Sequence, residues 1–90
     1  MTTPIPTASQ GQADDILFRA AHEVGWTPPK GSAESIAQWC LEQCAHIAGG
    51  QDREHAQNAV RSALEAAHNG NMEYALAGLR VAHQATQGGV

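Results

Sequence analysis

Large aromatic side chains are scarce: two Trp, one Tyr and one Phe, or 4% of ninety residues. A core built on stacked rings is therefore excluded, and packing has to come from smaller groups. Basic residues are few as well. Arg19, Lys30, Arg53, Arg61 and Arg80 are scattered along a chain of net charge −4, so no basic stripe exists to neutralise phosphates, and nucleic acid is not an expected partner. No run of 18 apolar residues occurs, which removes a membrane-spanning helix. The start, MTTPIPTASQGQ, lacks the basic and apolar regions of a signal peptide, and a cytoplasmic location is the default expectation. Two cysteines make no disulfide framework and in that compartment are expected as thiols. Enzyme signatures are missing too: no phosphate-cradling Gly-rich loop, no GxSxG, no HExxH. Non-enzymatic work is the expectation, with no cofactor.

Alanine is what the chain has in quantity. Apolar residues make up 42% of the sequence, which argues against disorder. The large core-formers are confined to Ile16, Leu17, Ile36, Leu41, Ile47, Val60, Leu64, Met72, Leu76, Leu79 and Val81. At ~25 cal/mol per Å2 of buried apolar surface, such a set leaves a thin margin over chain entropy. Small side chains compensate by letting helix axes approach closely. Burial in a homo-oligomer would add to the margin, and a homo-oligomer is expected.

The pattern along the chain predicts an all-α, four-helix domain over residues 9–87, between a flexible N-terminal arm (1–8) and a frayed tail (88–90). The helices are expected at about 10–24, 33–48, 53–68 and 71–86. Ser9 and Gln12 stand at capping-box spacing before the first. Gly25 supplies a left-handed position after its last turn, and Trp26 stands where an apolar residue packs back. Thr27-Pro28-Pro29-Lys30-Gly31 cannot be helical. Ser32 is a good N-cap for the second helix, which Gly49-Gly50 would stop. Asp52 is the expected N-cap of the third. Asn69-Gly70-Asn71 offers a C-cap, a left-handed turn residue and an N-cap in succession, so helices three and four form an antiparallel hairpin.

The residues of that hairpin, from Ala56 to Thr86, resemble one tetratricopeptide unit. Gly70-Asn71-Met72, Ala75-Leu76, Leu79 and Ala82 stand where the repeat has Gly, an apolar residue, Ala-Leu, a large residue and Ala. The first half departs from the pattern, with Ala59, Ser62 and Ala66 at the usual Trp, Leu and Tyr positions, and the closing Pro is missing. The likeness spans about a third of the chain and has no second copy. It implies a helical hairpin whose apolar face needs neighbours, a role that falls to helices one and two.

Candidate chemistry is sparse. Cys40 and Cys44, four apart, share a helix face, and with His22, His46, His55, His68 and His83 they could serve a small metal- or ligand-binding protein. His46 lies about 200° round the helix from Cys44, however, so the three cannot converge while the helix holds. Core packing explains the cysteines better, and no metal site is expected. His55 and His83 could approach one another across the hairpin.

Apolar residues off the core stripes point elsewhere. Phe18 aligns with Asp14, Asp15 and His22 on the first helix, and Trp39 with Ser35, Glu42, Gln43 and His46 on the second. The fourth helix carries two apolar lines: Met72, Ala75, Leu76, Leu79 and Ala82 make one, Tyr74, Ala77, Gly78, Val81 and Ala85 the other. A surface helix needs one such stripe. Phe18, Trp39, Tyr74, Gly78 and Val81 are therefore the expected contact residues for a protein partner, in an adaptor, neutraliser or inhibitor type of protein. Gly78 would let a helix come close.

Overall fold

A computed structural model describes residues 10–87, which form four α-helices: α1 (Gln10–Val24), α2 (Ala33–Cys44), α3 (Gly50–His68) and α4 (Met72–Gln87). The expected arm, Ser9 of the capping box and the tail from residue 88 lie outside the described residues.

Glycine ends two of the helices by the same device. Gly25 adopts φ 109°; its N–H donates to the His22 carbonyl at 3.1 Å, and the Trp26 N–H to that of Ala21 at 2.9 Å. Gly70 has φ 74°, with Gly70 donating to Ala67 at 3.1 Å and Asn71 to Ala66 at 2.8 Å. Both are Schellman closures, in which the left-handed residue lets two orphan carbonyls find donors. The second leads straight into α4, because Asn71 Oδ1 accepts from the Tyr74 N–H at 3.1 Å. A C-cap and an N-cap separated by one residue force α3 and α4 antiparallel.

The start of α2 is capped twice. Ser32, extended at φ −71° and ψ 159°, accepts from the Ser35 N–H at 3.1 Å. Asp14, a turn into α1, accepts from the Ala33 N–H at 2.5 Å. The α1 carboxylate thus satisfies an α2 donor and places negative charge at its positive dipole end. Its neighbour Asp15 pairs with Arg19 at 3.1 Å on the solvent face, where such pairs contribute little.

The α2–α3 junction differs from expectation. α2 ends at Cys44 rather than continuing to Ala48, and α3 begins at Gly50 instead of Arg53. Gly49, in extended conformation, is the N-cap; Asp52 sits inside the first turn, where its charge suits the dipole but its side chain is not the cap. Arg53 Nη1 donates to the Ile47 carbonyl at 3.2 Å, giving this connector acceptor a partner.

Alanine dominates the interior. Of the 18 buried apolar residues among those described, 11 are Ala, while Leu17, Ile36, Leu79, Val60, Cys40 and Cys44 are the largest that are fully buried. α4 packs most extensively on α3 and next on α1. Gly78 marks a close approach of α4 to α3. A Cβ built there would lie 2.7 Å from the Ala59 carbonyl oxygen and 3.1 Å from the Ala63 Cβ. The helix that uses the room left by Gly78 is therefore α3 of the same chain.

Two effects oppose each other at Gly78. Helix propensity favours Ala over Gly by ~1 kcal/mol, but the new methyl would press on a backbone oxygen that can move only with α3. Gly78→Ala is expected to lower the denaturant midpoint despite its better propensity. Gly11→Ala, where a Cβ meets nothing within 4 Å, should not lower it. Urea titrations of the two variants, followed by far-UV circular dichroism, make the comparison.

Candidate functional site

The second apolar line of α4 splits between two environments. Gly78 and Ala85 are half-buried, whereas Tyr74 is 71% exposed and Val81 41% exposed. These two are the large apolar side chains left exposed among the described residues. Being seven apart, they stand two turns from one another on a single face. Both border an open groove of about 680 Å3 between α3 and α4.

Each wall of the groove follows from helical spacing. On α4 the lining residues are Tyr74, Ala77, Gly78 and Val81; on α3 they include His55, Asn58, Ala59, Ser62, Glu65 and Ala66. Residues three, four and seven apart line one side of a helix. The floor is low because Gly78, Ala59 and Ala66 carry little or no side chain there. From His55 to Asn69 the α3 wall runs 14 residues, or about 21 Å at 1.5 Å per residue. That matches a helix of about four turns. The α3 wall is mostly polar and the α4 wall mostly apolar, and the apolar floor and α4 side are the kind of surface on which an amphipathic helix lays its apolar face.

The other two expected contact residues stand elsewhere, and neither lines this groove. Phe18 is half-buried, packs against the core and lies with its ring centroid 4.4 Å from that of His22. It borders a separate depression beside Asp15 and Lys30. Trp39 is also half-buried and meets Trp26 edge to face, at 6.2 Å and 83°. On another side Trp26 receives the His83 ring at 5.2 Å and 83°. The connector after α1 is thereby wedged between α2 and α4, so Trp39 belongs to a packed aromatic group. His83 also approaches Gly25, where a Cβ would come within 3.4 Å of its Nε2.

The histidines do not gather. His55 lines the groove, while His83 sits on Trp26. His68 Nε2 lies 2.7 Å from Glu34 Oε2, tying the end of α3 to the start of α2 across 34 residues of sequence. No group of three His, Cys, Asp or Glu residues among those described is placed to hold a metal ion. Cys40 and Cys44 are both fully buried and unbridged. Desolvation, with the neighbouring Cys44 adding to it, pushes the Cys40 thiol up to about 12; burial raises Cys44 as well. Neutral thiols in an apolar interior are poor nucleophiles and poor ligands.

No helix among the described residues is long and apolar enough to cross a membrane. Comparison with family models, curated proteins and solved structures finds no match to this chain. The α3 wall was the part that sequence reading missed. Its signal was present in the 55–58/59–62–65/66–69 spacing, but polar side chains at five of those positions, His55, Asn58, Ser62, Glu65 and Asn69, masked it.

Two measurements follow from these placements. A thiol whose pKa is higher folded than unfolded stabilises the fold below the unfolded value, and that stabilisation is lost as pH rises toward the folded value. For Cys40 the window runs from about 9 to about 12. The denaturant midpoint should fall across it, and less steeply in Cys40→Ala. Trp39→Ala should destabilise the domain by ~2–3 kcal/mol, below the 3–5 of a fully buried aromatic. It should also alter the near-UV circular dichroism of Trp26. An unchanged thermal midpoint would mean that the pair contributes nothing to packing.

Proposed function

We propose that this chain is a non-enzymatic protein-interaction module, of the kind used as adaptors, neutralisers or inhibitors, and that it binds through the outer face of the α3–α4 hairpin. One observation carries the reading: the two large apolar side chains left exposed among the described residues border the same helix-sized groove. Scattered surface apolar residues are ordinary, whereas an apolar ridge beside a groove of matching length is the form of a helix receptor. Tyr74 suits the role of anchor, with a large rigid ring and a hydroxyl that can stay wet. Acid–base chemistry gains no comparable support. Among the described residues no polar or charged side chain is buried, and catalytic groups are commonly tuned by burial.

The test uses the inertness of the native thiols. In Val81→Cys, residue 81 becomes the one accessible cysteine and takes a benzophenone maleimide; Glu23→Cys, exposed on α1, is the control. Irradiation with the chain at high concentration and in host extract should give a covalent adduct to a polypeptide from position 81 and none from position 23. Adducts from neither position, or equally from both, would remove the reading.

A further inference from the structure

The groove and the ridge beside it are complementary to each other, and one molecule cannot bring its own ridge into its own groove. We propose that the occupant is the same face of a second copy of this chain, with the two α4 helices antiparallel about a two-fold axis close to Ala77. This rests on the interaction reading above and names the partner.

Three features fix the arrangement. The first is shape. In an antiparallel pair the positions that face one another have a constant sum of residue numbers. Centring the axis between Ala77 and Gly78 sets Tyr74 against Val81 of the other copy, twice by symmetry. Each bulky side chain then lies over the low floor made by Gly78 and Ala59.

The second is charge. Glu73 and Arg80 are exposed, seven residues apart on the solvent edge of α4, and neither forms an ion pair among the described residues. Their midpoint falls within one residue of the midpoint of Tyr74 and Val81. The register that pairs the apolar residues therefore places each Glu73 near Arg80 of the other copy, giving two reciprocal pairs of opposite sign. A parallel arrangement would instead set Glu73 against Glu73 and Arg80 against Arg80. Complementary flanking charge fixes register and direction more than it adds affinity.

The third is the thin interior. A domain whose buried set is mostly alanine gains from covering Tyr74 and Val81, and a two-fold covers both residues on both copies.

Sedimentation equilibrium of the full chain tests this, with far-UV circular dichroism to verify folding of every variant. The wild type should show twice the monomer mass as concentration rises through the micromolar range. Val81→Glu, which enters the interface twice, should raise the dimer dissociation constant at least tenfold. Glu73→Arg and Arg80→Glu should each raise it severalfold, because each sets like charges together at both ends. The double exchange, Glu73→Arg with Arg80→Glu, should restore it to within about threefold of wild type. These charge effects should fade in 1 M salt. Since the two exchanged positions are solvent-exposed, they keep the test decisive even if Val81→Glu unfolds the domain.

A wild type that stays monomeric to about 1 mM, where binding is worth only ~4 kcal/mol, overturns the proposal. So does a double exchange no better than either single. Two further outcomes separate it from the broader reading. A monomeric wild type whose position-81 probe captures a different polypeptide leaves the interaction surface standing and removes the second copy. A monomeric wild type with no adduct removes both.

Discussion

Everything in this fold depends on how closely α3 and α4 approach. Most of the described interior is alanine, which releases about 0.8 kcal/mol for its single methyl where a leucine releases two or three times as much. Such a core holds only if the helix axes come near enough for backbone and methyl groups to touch, and dispersion contacts vanish steeply with a gap. Gly78 against the Ala59 carbonyl and the Ala63 methyl is one such close contact. The same contact that closes the interior leaves a trough on the outside, because two helices this close, with small residues facing both ways, have nothing tall between them. Core and groove are two consequences of one choice of side-chain size.

Where structure was written locally, it could be read. Gly25 and Gly70 sit just past helical patterns, and each turns out left-handed and closes two carbonyls. Ser32 and Asn71 cap as their side chains suggest. The junction of α2 and α3 was less legible for a physical reason. Ala45-His46-Ile47-Ala48 has no helix breaker, so propensity alone carries α2 onward. At the boundary the Arg53 guanidinium, six residues on, takes the Ile47 carbonyl. Asp14 capping Ala33, and Glu34 meeting His68, are by contrast contacts between distant segments. Nothing in the residue order signals them before the helices are docked.

The expected contact residues divide along the same line. Tyr74, Gly78 and Val81 were found together because one helix carries them, and helical phase is legible. Phe18 and Trp39 were singled out for being off-stripe, but a stripe assumes that each helix has one buried side. Trp39 is packed from the side by Trp26, which comes from a connector rather than a helix. Phe18 has His22 beside it on its own helix. Being out of phase with the core marks a residue as unusual; whether a loop, a neighbour or water covers it depends on tertiary placement.

The aromatic group around Trp26 bears on why the proposed interaction face is on α3–α4. With so few large side chains, the chain has limited means of closing gaps between its four helices. It places Trp26, the buried ring, where α2, α4 and the connector from α1 converge, braced by Trp39 and His83. Phe18 stays packed against the core along α1. Three of the four ring-bearing residues other than histidine are thus used near the chain's own packing. Tyr74 alone stands clear, on the hairpin whose inner contact is already made at Gly78. A ring left 71% exposed, above the trough beside the Gly78 contact, is the aromatic surface that the proposed partner would cover.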